Sequence, residues 1–229
     1  MQFRALTYNI RSGSDALGRG RLVQQGCLLR ELAPDLVLLQ EVGGRSQAER
    51  LAEFAGLAYL TFGAARRSRW GEFGNAILAR RPLRDVAVLR VPSAWPGSEP
   101  RSVLAATLGD GRQALHVIST HFGLLPGEAD RAARTVRAIA AAREGPLLLG
   151  GDLNRAAAAA ACHRHLRQTF VDCARVGSRA AQPTFPALRP VLRLDYLYAR
   201  GLLVGAVAVV ASSASDHRPV LADLRLPSG

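Results

Sequence analysis

The segment LLLGGDLNR, residues 147–155, carries an apolar run through two glycines and ends on a carboxylate and a carboxamide two positions apart, Asp152 and Asn154. Five other apolar runs end in the same manner. LTYNIRSG delivers Asn9, LLQEV delivers Glu41, VISTHFG delivers His121, RLDYLY carries Asp195, and SASDHRPV carries Asp216 with His217. Carboxylates and carboxamides with few soft ligands suit a hard cation such as Mg²⁺ or Mn²⁺. Mg²⁺ takes one or two protein carboxylates and leaves its other positions to water and phosphate oxygens. Glu41 is the first choice of metal ligand, with Asp152, Asn154 and Asp216 lining the rest of the site. Residues i and i+2 of a strand share a face, so Asp152 and Asn154 are predicted to address one cavity while Leu153 turns into the core. His217, with Asp195 as its orienting carboxylate, offers an acid–base group held in one tautomer. His121 can protonate a leaving oxygen or hold a phosphate oxygen.

Such residues need rigid elements beneath them. FRALTYNI and DLVLLQEV read as strands, and RLVQQGCLLRELAP between them reads as a crossover helix that stops at Pro34. SQAERLAEFAGL opens on Ser46 and Glu49, the capping-box pattern of a helix start. GNAILAR, RDVAVLRV, RSVLAATLG and ALHVISTHF read as four strands, EADRAARTVRAIAAAR as a helix, and PLLLGGDLN as a buried strand. AAAAAACHRHLRQ, with His163 and His165 on its surface, reads as a short helix, and three further strands close the chain. AARRSRWGEFG, residues 64–74, reads as a loop that grips substrate. No internal repeat is visible. Open α/β sheets place ligands beyond the carboxyl ends of their strands, where the polar residues above fall.

With 229 residues, 48% of them hydrophobic and 21% charged, the composition is globular and fits one domain over 1–229. The net charge of +12 is carried by 30 Arg and no Lys. That excess either attracts polyanions or reflects composition alone. Cys27, Cys162 and Cys173 lack CxxC spacing, which argues against a disulfide framework and fits a reducing cytosol. No signal peptide is read at the N-terminus, and LLVGAVAVVA is too short to span a bilayer. A cytoplasmic monomer without stable membrane association is expected.

In chain order, TYNI, LLQEV, FGNAILAR, STHF, GGDLN, RLDYLY and SDHRPV resemble the motifs of the endonuclease/exonuclease/phosphatase family. The likeness covers essentially the whole chain. It implies an α/β fold, a four-layer α-β-β-α sandwich with two packed mixed β-sheets, and metal-dependent hydrolysis of a phosphoester by activated water. By position it implies Glu41 as metal ligand with Asn9 beside it, Asp152 and Asn154 as the pair that handles water and phosphate, and Asp195 with His217 as an Asp-His pair next to Asp216. Asp152 and His217 both stand as candidate general bases. His121 occupies a position where abasic-site endonucleases carry Tyr, which argues against that branch.

Other candidates are less determined. Arg101 can clamp a phosphate bidentately, and Asn75 falls near the implied site. Trp70 and Trp95 can stack on a base or cap the core edge. Nucleic acid leads as substrate. A phosphorylated small molecule, a phospholipid head group, and a non-catalytic binding module on the same scaffold are the alternatives.

Overall fold

The computed structural model describes residues 1–69, 71–92, 95–111, 114–125, 127–156, 160–177 and 182–227. Its central strands alternate side chains between two buried faces, which explains their unbroken apolar runs. Strands β1 (Gln2–Asn9), β2 (Leu36–Val42), β3 (Tyr59–Ser68), β4 (Gly71–Ala79), β11 (Leu203–Val209) and β12 (Val220–Arg225) form one sheet in the order β11-β12-β1-β2-β4-β3. Strands β5 (Leu83–Val91), β6 (Arg101–Leu108), β7 (Leu115–His121), β8 (Leu147–Asp152), β9 (Val171–Asp172) and β10 (Asp195–Arg200) form the other, in the order β5-β6-β7-β8-β10-β9.

Leu36 and Leu38 of β2 face Leu148 of β8 and Leu197 of β10 in the core between the sheets. Val37 and Leu39 face outward, onto Leu29 of α1 (Leu22–Leu32) and Leu51 of α2 (Arg45–Ala55). On the far side, Leu147 and Leu149 meet Ala132 and Val136 of α3 (Glu128–Ala141) and Leu166 of α4 (Ala161–Arg167). Helix, sheet, sheet and helix therefore stack as four layers. A short helix, α5 (Cys173–Gly177), follows β9. Burying each such Leu contributes about 1.5–3 kcal/mol, so the sheet interface dominates the stability of the strand ends.

The parallel pairs are β1 with β2, bridged by α1, and β7 with β8, bridged by α3. The sheets repeat one plan: an antiparallel hairpin, a parallel pair with its crossover helix, then a second antiparallel pair. The sequence shows no repeat because packing preserves registers rather than residue types. An echo survives in RSVLAATL of β6 against RPVLADLR of β12.

Four local expectations are corrected. The capping box does not form: α2 starts on Gly44 without a side-chain cap, and Glu49 pairs with Arg45 instead. Residues 64–74 are not a loop but largely the β3–β4 hairpin, with Arg67 opposite Glu72, while Trp70 lies outside the described residues. His163 is fully buried rather than on a helix surface. The predicted helix over 156–168 is shorter, and its residues 157–159 lie outside the described residues. Among the described residues no helix is long and apolar enough to cross a membrane.

Candidate active site

In the second sheet the strand register itself assembles the site. Asp152, the last residue of β8, is paired across β7 with His121 and across β10 with Asp195. The two glycines before it make this close packing feasible. A Cβ on Gly150 would sit 2.5 Å from Leu38 Cδ1 of the facing sheet, and one on Gly151 would sit 2.0 Å from Thr120 O. Asn154 reaches the same centre by another route than strand alternation. Its φ is +50°, and its N–H donates to Asp152 Oδ1 at 2.9 Å, so an Asx turn folds it back. Its Nδ2 then lies 2.9 Å from His121 Nε2 and donates to Phe122 O, while Leu153 is buried in the core.

The first sheet contributes Asn9 and Glu41. The β2–β4 register shifts between Leu39 and Val42, and within that irregularity Glu41 adopts φ +55°. A bulge of this kind re-aims a side chain, and left-handed backbone at a non-Gly residue costs of order 1 kcal/mol or more. Fully buried Asn9 ties the two sheets together: its Nδ2 donates to Glu41 Oε1 at 2.9 Å and to Asp152 Oδ2 at 3.0 Å. The Asn9 Oδ1 accepts from Arg11 N.

Asp152 Oδ2 is the hub. Besides Asn9 it has His121 Nε2 at 3.5 Å and His217 Nε2 at 3.6 Å, and His217 Nδ1 is bound to Asp195 Oδ2 at 2.8 Å. Burial, reinforced by the charge of Asp195, pushes Asp152 up to about 7. Burial alone would lower His217, but the charge and hydrogen bond of Asp195, with Asp152 and Asp216, outweigh it and raise the imidazole to about 10. His121 moves the opposite way, held well below the usual histidine range by burial and by the charges of Arg101 and His217. Glu41 is raised by burial against the pull of its Asn9 bond, with Asp216 adding to the rise.

Residues 6–217 match the model of the Endonuclease/Exonuclease/phosphatase family. The chain belongs to that family. Escherichia coli (strain K12) protein YbhP is 30% identical across 98% of this chain and 96% of its own length. The crystal structure of an endonuclease/exonuclease/phosphatase from Beutenbergia cavernae is 26% identical, covering 99% of this chain and 72% of the other at a TM-score of 0.81. A mannosyl-6-phosphatase from Bacteroides thetaiotaomicron shares the fold at 17% identity and a TM-score of 0.81, over 97% of this chain and 99% of the other.

The endonuclease/exonuclease/phosphatase scaffold thus brings Asn9, Glu41, His121, Asp152, Asn154, Asp195 and His217 to one centre. Three other predicted residues border this centre with partners of their own. The carboxylate of Asp216 faces Arg11, 3.4 Å away, and the Ser215 hydroxyl. Asn75 spans the sheets, donating to Ser102 O at 3.0 Å, and is almost fully buried. Arg101 is buried, with Nη1 on His121 Nδ1 and Nη2 on Glu99. Arg193 binds Asp172 and leaves Asp195 to His217. Trp95 is half-exposed outside the site network.

Sequence reading missed three supports. Thr184 Oγ1 accepts from Leu194 N and Asp195 N, Ser215 Oγ donates to Asn9 O, and the Phe185 ring lies 4.8 Å from that of His217. Lone Thr, Ser and Phe residues in turn segments carry no periodic signal.

Asp152, Asp195 and His217 form a buried group whose ligand atoms all lie within 4.8 Å of one another, a span one metal ion can bridge. Two carboxylates and an imidazole, with the Glu41 carboxylate tied to them through Asn9, make a donor set that a divalent cation can take.

Proposed function

We propose that this protein is a Mg²⁺- or Mn²⁺-dependent phosphodiesterase that uses activated water, with nucleic acid as its substrate. The observation that carries the reading is the convergence on Asp152 Oδ2 of Asn9, His121 and His217, with Glu41 bridged to the same amide. Glu41 would hold the ion, with Asp152, Asn9 and Asp216 around it. When bound, the cation supplies charge neutralisation at phosphoryl oxygens, the contribution that usually dominates such catalysis.

The side chains supply the rest. Asp152, poised near neutrality, takes the proton of the attacking water at Oδ2. Asn154 Nδ2 and His121 orient a phosphoryl oxygen. His217, kept protonated and aligned by Asp195, donates to the charge that develops as water adds. Preference for nucleic acid rests on the Arg-borne charge of +12. The mannosyl-6-phosphatase of like fold shows that the scaffold also serves sugar phosphates, and that class is the second arm of the test.

A substrate panel decides between them: single- and double-stranded DNA, RNA, a sugar monophosphate and sphingomyelin, each with Mn²⁺, Mg²⁺ or EDTA. Metal-dependent cleavage of polynucleotide is expected. Cleavage confined to small esters or lipid would keep the chemistry and replace the substrate, and inertness throughout would refute both. Binding is checked without turnover. Mn²⁺ raises the melting temperature of the wild type but not of Glu41→Asn, and an equal rise in both would remove Glu41 as ligand.

A further inference from the structure

Both ring nitrogens of His121 face donor-only groups, Arg101 at Nδ1 and the Asn154 amide nitrogen at Nε2. Arg101 Nη1 lies 2.9 Å from His121 Nδ1, and both side chains are buried. Arg101 is held there by Glu99, whose Oε2 accepts from Nη2 at 2.8 Å. A guanidinium carries only donors and keeps its proton at any working pH. At this contact, therefore, only the imidazole can accept. A neutral imidazole has one N–H.

We infer that Arg101 is a positioning residue that fixes the proton of His121 on Nε2, so that the ring offers substrate an N–H rather than a lone pair. The inference rests on the phosphoester reading for what that N–H does, not for where it is. Asn154 Nδ2 stands 2.9 Å from Nε2 and is anchored by its bond to Phe122 O. A neutral ring accepts at one nitrogen only, and the charged guanidinium is the stronger donor. With Nδ1 accepting, Nε2–H and Asn154 Nδ2 are both donors, and Asp152 Oδ2 lies 3.5 Å from Nε2 as the nearby acceptor. They cannot bond to one another. An anionic phosphoryl oxygen entering this corner accepts from both, which is the arrangement of an oxyanion site.

Arg101 decides between two competing patterns. Without its donor, Asn154 would donate to Nε2, and the His121 proton would move to Nδ1, where Glu41 Oε1 lies 4.0 Å away. The N–H would then face the wrong carboxylate and the oxyanion corner would lose one donor. Arg101 Nη1 and Nη2 each already hold a protein partner, and Nε is buried without one.

Long-range ¹H–¹⁵N correlation spectra of the full chain labelled with ¹⁵N-histidine read the tautomer directly. The chain has five histidines, and His121→Asn identifies the signals of that ring. The wild type is expected to show Nε2 protonated and Nδ1 bare. Arg101→Met reverses the pattern, and Arg101→Lys, which keeps a donor cation, retains it. Unchanged signals from the other histidines certify the fold. Arg101→Met also lowers kcat by about 10–100-fold with KM unchanged, as loss of a supporting contact does.

A wild-type proton on Nδ1 would overturn the inference without any variant. So would an unchanged tautomer in Arg101→Met, or a raised KM at constant kcat, the behaviour of a phosphate clamp. The ring signals need no turnover. An inert protein with the Nε2–H tautomer would therefore refute the hydrolase reading and leave this one standing.

Discussion

Asp152 is held by Asn9, faced by two histidines, and shifted upward by burial and Asp195. Its own shift and that of His217 act on stability in the same direction. Each binds its proton more tightly in the folded chain, so each contribution is complete below the unfolded pKa and is lost as pH rises through the folded one. For Asp152 that window runs from 3.8 through about 7, and for His217 from 6.5 through about 10. In EDTA, the urea midpoint should therefore fall as pH rises across both windows. Asp152→Asn should flatten the lower one. A midpoint that climbs with pH would contradict the electrostatics described. The sequence made Asp152, Glu41 and His217 legible, since each follows an apolar run at a strand end. The contact of Arg101 with His121 was not legible because the β6–β7 register sets it, pairing Val103 with Thr120 and bringing residues 20 apart in sequence together. Thr184 and Phe185 were invisible because lone residues in turn segments carry no periodic signal.

At the scale of elements, the site depends on how closely β7 and β8 run. Gly151 stands opposite Thr120, one step before the His121–Asp152 pair, and has no room for a methyl group. Gly151→Ala should destabilise the chain by about 1–3 kcal/mol, the usual cost of overpacking. It should also depress activity, because the displaced strands carry both residues. Urea titration and initial rates check this, and an unperturbed midpoint would show that the strands yield freely. Most strands and three helices were readable from periodicity. The β3–β4 hairpin was not, because its Arg-rich arm, with Arg66, Arg67 and Ser68 exposed in succession, lacks the alternation that marks a strand. Asn154 was placed at the right centre for the wrong reason: a left-handed turn, not strand alternation, brings it in. The doubled plan of the sheets also escaped the sequence, yet it explains why Glu41 and Asp152 both end the second strand of a parallel pair.

For the whole molecule, the account is one of charge. A scaffold of net charge +12 surrounds a centre in which burial makes Glu41 and Asp152 resist ionisation. If nucleic acid is the substrate, its KM should rise steeply with added salt as released counterions cease to favour binding. The KM of a small diester should respond far less. Equal salt responses would remove the electrostatic case for a polynucleotide. The chemistry itself is tested most directly by the hydrolysis of bis-p-nitrophenyl phosphate under Mn²⁺, comparing the wild type with Asp152→Asn and with an EDTA control. The account predicts release of p-nitrophenol that EDTA abolishes and that Asp152→Asn lowers by about 10²-fold or more, the scale of a lost general base, with folding intact. Turnover that survives either the chelator or the substitution would contradict it.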